Sequence, residues 1–178
     1  MALASFDFAI AIGGEAGQGI ATPGDILARI FVRRGLHLNT YNAYQSIIRG
    51  GHIFLYVRVC DQEIHTHGDK LDLLVCLNQD TMDRHLSLMG PGSRVLYNGD
   101  NVTPGEAADG VQMCPLPVAE LSNTRNRLSQ NTMAVGAATH LLGLDFEVLE
   151  ESLTLRFQRQ GQAVIDENVS VARAGYEH

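Results

Sequence analysis

FDFAIAIGGEAGQGIATPGDILARIFVRRGLHLNTY, residues 6–41, decides the fold. Residues 6–14 form a short apolar run closed by two glycines, the form of a strand buried on both faces. Thr22, Pro23 and Asp25 read as a helix start, with Thr22 as the N-cap, Pro23 as first helical residue and Asp25 as reciprocal capping acid. Ile26, Leu27, Ile30 and Phe31 then fall on one helical face. Arg33 and Arg34 suit the helix C-terminus, and Gly35 a C′ position. Residues 36–41 return as a strand. The stretch is a β-loop-α-β unit with a glycine-rich first turn.

The remainder extends this pattern. HIFLYVRV (52–59) is a strand, with a turn at Asp61-Gln62 and EIHTH as a short antiparallel return. LDLLVCL (71–77) is a buried strand, followed by a helix from Asn78–Asp80 to about Met89. Strands are also expected within 90–98 and at VQMCPLP, the latter stopped by Pro115 and Pro117. NTMAVGAATHLLGL (131–144) is a helix whose small residues let another backbone come near. Residues 146–161 form an amphipathic helix, and 162–178 a last weak helix that frays at its end. The expected architecture is one domain over 1–178, a three-layer α/β/α Rossmann-like fold whose mostly parallel sheet carries an antiparallel hairpin.

The bulk numbers exclude several function classes. A net charge of −7 and a pI near 5.4 argue against a protein built to hold nucleic acid. No apolar run approaches the roughly 20 residues a membrane helix needs. The N-terminus lacks a basic n-region and reads as a first strand, not a signal peptide. Cys60, Cys76 and Cys114 include no C-x-x-C, whereas an iron–sulfur cluster needs about four thiolates. Their odd number and apolar settings fit buried free thiols in a cytoplasmic protein.

Candidate sites are few. Gly14, Gly17, Gln18 and Gly19 join the first strand to the first helix, where backbone can approach an anion. The spacing is not that of a dinucleotide fingerprint, and Leu38-Asn39-Thr40 stands where a ribose-binding acid belongs. No Lys-Ser or Lys-Thr follows, which rules out a Walker A loop. Tight strand–helix packing without a ligand and a coenzyme A site both stay open. His65 and His67 share one face of a short strand, and a zinc site there needs His52 or Asp61 as third ligand; exposed, unmetallated histidines are the simpler reading, and no metal site is assigned. His140 reads as a satisfied core residue. Ser46 has no paired base, and no catalytic residue is assigned. Arg49-Gly50-Gly51, directly before a strand, is a bare cationic turn.

GGEAGQGI after the first strand, S-x-x-R-G-G-H at 46–52, DLLVCLNQDTMDRH at 72–85 and NTMAVGAATHLLGL at 131–144 occur in one order and spacing. Together with Asn168 and Gly175-Tyr176, they resemble the gamma subunit of the 2-oxoacid:ferredoxin oxidoreductases. The nearest likeness is to the gamma domain that begins the alpha subunit of 2-oxoglutarate-type enzymes. The resemblance implies a complex that decarboxylates a 2-oxoacid to an acyl-CoA. It implies thiamine diphosphate with magnesium, coenzyme A and iron–sulfur clusters, with ferredoxin accepting the electrons. None of those cofactors is expected on this chain, which lacks cluster cysteines and a G-D-G…N-N segment. Alpha and beta subunits are the implied partners, and the isolated chain is expected to be inactive. The resemblance implies that Ser46, Arg49, Gly50, Gly51 and His52 lie at an interface with a partner; pairing of Arg49 inside this chain and direct contact with a ligand are the alternatives. A separate small subunit and one part of a longer chain both stay open. So do a stand-alone coenzyme A or nucleotide-binding module using residues 13–19 and a homodimer through the Ala/Gly helix.

Overall fold

A computed structural model describes residues 6–17, 19–44, 51–121 and 127–178. The elements run β1 (Asp7–Glu15), α1 (Ala21–Arg33), β2 (His37–Tyr44), β3 (His52–Cys60), β4 (Leu73–Cys76) and α2 (Gln79–His85), which tightens into a 3₁₀ turn at Leu86–Leu88. They continue with β5 (Arg94–Asn98), β6 (Gln112–Leu116), α3 (Val118–Leu121), α4 (Arg127–Leu141), α5 (Phe146–Phe157), a 3₁₀ turn at Gln158–Gln160, and α6 (Gln162–Glu177).

The six strands form one sheet in the order β2-β3-β1-β4-β5-β6. β1, β4, β5 and β6 are parallel. β3 runs antiparallel to both β1 and β2, so β2 shares the direction of β1. The expected sheet class holds, but β3 pairs differently from the sequence reading. Residues 61–72 contain no strand, and EIHTH does not return along β3. The physical reason lies in HIFLYVRVC, which is largely buried on both faces and so belongs inside a sheet. Polar Glu63, His65, Thr66 and His67 would be a poor interior partner, and all four are exposed.

Side chains alternate across the sheet. Ile10, Ile12, Leu55, Val57, Leu73, Val75 and Leu96 face one way and pack with α1, α4, α5 and α6. Ala9, Ala11, Phe54, Tyr56, Leu74, Val95 and Tyr97 face the other way and pack with Met82, Leu86 and Met89. Three layers result. No helix among the described residues is long and apolar enough to cross a membrane.

Two helix ends depart from the sequence reading. α1 starts at Ala21, and Thr22 lies inside its first turn, its N–H donating to the Gly19 carbonyl at 3.2 Å. Gly19, at φ +76°, turns the chain early enough that no side-chain cap is needed. α6 does not fray. Its backbone lies directly on α4: a Cβ on Gly136 would sit 1.9 Å from the Ala172 carbonyl oxygen, and one on Gly175 2.1 Å from that of Met133. Thr132 Oγ1 reaches Asn168 Oδ1 at 3.0 Å, and Tyr176 Oη donates to the Leu144 carbonyl at 2.9 Å. The close-packing face of α4 is thus filled by the chain's own last helix. A homodimer through that face would have to displace α6.

Candidate functional site

The strand order reverses beside β1. From β1 the chain crosses through α1 to β2 on one side, while β4, β5 and β6 follow in order on the other. In open α/β sheets, the crevice at the carboxyl ends beside such a switch point is where ligands bind. Here those ends hold the loop after β1, Leu77–Gln79, Asn98–Asn101 and Val118. The Leu77 N–H donates to the Gly13 carbonyl at 3.0 Å, and that of Gly99 to the Leu116 carbonyl at 2.9 Å.

A cleft of about 170 Å³ opens there. Its polar lining is mainly carboxamide, from Asn78, Gln79, Asn98, Asn101, Gln130 and Asn131, with Tyr97 also in the wall. No Asp, Glu, Lys, Arg or His stands among its described lining residues. Several of these amides are tied to backbone. Asn78 caps α2, its Oδ1 accepting from the Thr81 N–H at 3.0 Å and from Thr81 Oγ1 at 2.6 Å. Gln79 Oε1 accepts from the Thr103 N–H at 2.8 Å, and Asn98 Oδ1 from that of Asp100 at 3.0 Å. Carboxamides donate and accept hydrogen bonds but do not titrate, so these six side chains can orient a group and cannot transfer a proton. Cys76 also lines the cleft, and burial pushes its thiol up to about 12, far from the thiolate that nucleophilic chemistry needs.

The glycine loop and the R-G-G-H segment, distant in sequence, meet beside this cleft. The Ala16 N–H donates to the Gly51 carbonyl at 2.8 Å, and Glu15 stands opposite His52 in the β1–β3 register. Gly14 is buried opposite Ile53. Gly17 and Gly19 take positive φ, +89° and +76°. Gly51 is buried. Gln18, Ser46, Arg49 and Gly50 lie outside the described residues.

His52 brings in a group that sequence reasoning missed. Its Nε2 lies 2.8 Å from His85 Nε2, and its Nδ1 3.5 Å from Asp80 Oδ2. His85 stacks on Phe54 with ring centroids 3.8 Å apart. An Nε2–Nε2 contact requires one ring to donate and the other to accept, so the pair cannot carry two charges. Burial lowers the His52 imidazole below its usual range. Burial, then the His52 charge, holds His85 down at about 4. Nothing local in the sequence links two histidines 33 positions apart.

The remaining histidines and cysteines form no centre. His65 is exposed, and His67 stacks on Tyr41 at 5.1 Å. His140 is exposed, contrary to expectation, and lies edge-on to Tyr176. The buried face of α4 is taken by small residues such as Ala134, Ala137 and Ala138, which leaves the imidazole outside. Among the described residues, no group of three His, Cys, Asp or Glu could hold a metal ion. Cys60, Cys76 and Cys114 are free thiols on β3, β4 and β6. A second hollow, of about 280 Å³, lies between the N-terminal ends of α1, α4 and α6. Its polar groups engage one another, with Ser129 Oγ 3.5 Å from Glu167 Oε1 and Thr132 bonded to Asn168.

A three-layer fold with a glycine turn after β1 and a crevice at the carboxyl ends of its strands defines a Rossmann-like domain. The chain belongs to the pyruvate ferredoxin/flavodoxin oxidoreductase family, whose model matches residues 9–178. It is 29% identical over 172 residues to the ketoisovalerate oxidoreductase subunit VorA of Methanothermobacter thermautotrophicus, with 94% of this chain and 35% of that subunit covered. It is 28% identical over 169 residues to the 2-oxoglutarate synthase subunit KorC of Archaeoglobus fulgidus, covering 94% of this chain and 86% of that one. The chain thus spans about a third of one relative and most of the other. Among solved structures, the 2-oxoglutarate:ferredoxin oxidoreductase of Magnetococcus marinus, with 2-oxoglutarate, coenzyme A and succinyl-CoA bound, superposes with a TM-score of 0.87 at 26% identity. That match covers 96% of this chain and 31% of the other. The keto/oxoacid ferredoxin oxidoreductase gamma subunit of Geobacter sulfurreducens shares the fold, with a TM-score of 0.75 at 22% identity over 96% of both chains.

Proposed function

We propose that this chain is the accessory gamma component of a 2-oxoacid:ferredoxin oxidoreductase, with the chemistry carried by partner chains. One observation carries the reading: a family match over nearly the whole chain falls on a domain whose crevice has no Asp, Glu, Lys, Arg or His among its described lining residues. In this reading the assembled enzyme oxidatively decarboxylates a 2-oxoacid to an acyl-CoA and passes electrons to ferredoxin. Alpha and beta partners hold the thiamine diphosphate, magnesium and iron–sulfur clusters. The thiols of this chain do not fit an iron–sulfur cluster. Its three thiols lie on three different strands, and burial raises those of Cys76 and Cys114, whereas a cluster needs thiolates. No step of the reaction is therefore assigned to its side chains.

The joined loop and turn are the proposed contact with the partner. The Ala16–Gly51 hydrogen bond supports this by placing the 13–19 loop beside the end of the Ser46–His52 segment. Gly14, Gly17, Gln18 and Gly19 would present backbone there to whatever group the partner holds, the coenzyme A of the assembly included. Arg49 would supply the cationic fork across the interface.

The purified chain is expected to show no turnover with 2-oxoacid, thiamine diphosphate, coenzyme A and a viologen acceptor. Turnover by the chain alone would overturn the proposal. In the reconstituted complex, Arg49→Ala is expected to weaken partner binding about tenfold or more, measured by calorimetry, since it leaves the opposing acceptor unpaired. Unchanged affinity would remove Arg49 from the interface.

A further inference from the structure

On the outer side of the helical layer, α1 and α5 enclose a hollow of about 260 Å³. Arg29 and Arg33, one turn apart on α1, line one wall, and Arg156 and Arg159 line the other. Four of the chain's thirteen Lys and Arg residues converge there in a protein of net charge −7. None of the four makes an ion pair among the described residues, whereas the neighbouring Arg34 and Arg173 reach Asp145 and Glu150. Crowding like charges opposes compactness, and an acidic ligand on the arginine side of Leu155, away from Glu147, Glu150 and Glu151 in the adjoining hollow, relieves that cost.

Two exposed apolar side chains identify the kind of ligand. Leu155, 45% exposed, lines the hollow, and Val32, 57% exposed, adjoins Arg29 and Arg33 on α1. A small inorganic anion would engage the guanidiniums and leave both in water. A protein segment covers both at once, and arginine beside exposed apolar surface is the composition of protein interfaces. We propose that this face of α1 and α5 docks a carboxylate-rich, leucine-bearing segment of a partner protein, its carboxylates held by the four arginine forks and its apolar side chains by Leu155 and Val32. The surface faces outward from the helical layer, and none of its residues lines the crevice at the carboxyl ends of the strands. The proposal therefore stands independently of the oxidoreductase reading.

The test is fluorescence anisotropy of the purified chain with a labelled decapeptide of alternating Glu and Leu, against inorganic pyrophosphate as competitor. Saturable peptide binding is expected. It should weaken about tenfold or more in Arg29→Glu/Arg159→Glu and several-fold in Leu155→Ser, with unchanged thermal melting in both. Equal displacement by stoichiometric pyrophosphate, or no effect of Leu155→Ser, would overturn the proposal in favour of a small-anion site. No binding, or binding unaltered by the charge reversal, would overturn it outright.

Discussion

Gly136→Val is expected to lower the unfolding free energy by about 3 kcal/mol or more, at the upper end of overpacking costs. The added carbon would stand 1.9 Å from the Ala172 carbonyl oxygen, where no side-chain rotation can relieve the clash. The obstacle is α6 backbone, so the two helices must part. Parting them uncovers Met133, Ala137 and Ala172 and breaks the Thr132–Asn168 contact. At a few degrees per kcal/mol for a chain of this size, the melting temperature should fall by about 10 °C. Gly175→Val meets the Met133 carbonyl from the other helix and should behave alike. Gly143→Ala is the control. Its φ is +67° with nothing within 4 Å of the added carbon, so only backbone strain of about 1 kcal/mol applies. Circular-dichroism melting of the three variants checks this. A Gly136→Val protein melting within about 2 °C of the parent would mean that α6 does not lie where the structure puts it.

Acidification is expected to destabilise the protein through the His52–His85 pair. Both imidazoles are held below their usual value, His85 at about 4 against 6.5 when unfolded. Between those values the unfolded chain binds protons that the folded chain refuses. The stability contributed by the neutral pair is therefore complete above about pH 6.5 and is lost as pH falls toward 4. The His85 shift alone corresponds to about 3 kcal/mol. Solvent screening at a half-buried ring reduces this to about 1–2 kcal/mol. Asp80 opposes the effect by favouring protonation, while Arg84, paired to Asp80 at 2.7 Å, adds to it. Urea unfolding at pH 7 and pH 5 measures the slope. His85→Phe, which keeps a ring stacked on Phe54, should flatten it. An unchanged slope in that variant would place the pH sensitivity elsewhere.

The first βαβ unit was legible because its signals are local. An apolar run, a glycine turn, an apolar helical face and a glycine stop each act within a few residues. The glycine stop holds: Gly35 has φ +77°, and the Leu36 N–H reaches the Phe31 carbonyl. The partner of β3 was not legible from proximity in sequence. It follows from burial of both faces of that strand, which makes β1 and β2 its neighbours. α6 read as weak because it buries Ala172 and Gly175 beside Ile165 in place of large apolar residues. Its stability comes from close backbone approach, which a hydropathy pattern does not register. The small-residue run of α4 did carry that signal, as the other half of the same contact. In the candidate site, the glycine loop and R-G-G-H turn were visible as motifs, but their junction at Ala16 and Gly51 depends on β3 pairing with β1. The His52–His85 contact arises only when the end of α2 meets the start of β3, and the amide-lined crevice only when separate strand ends meet.

If this domain works inside a 2-oxoacid oxidoreductase and does not catalyse alone, the activity must travel with its partners. The most direct test is affinity capture of the tagged chain from an extract of its native cell under mild conditions, followed by assay of the captured material. 2-Oxoacid-dependent viologen reduction is expected to be recovered with the chain, to require coenzyme A, and to be absent from the chain purified alone. Capture of the chain without that activity, from an extract in which the activity is measurable, would contradict the oxidoreductase reading.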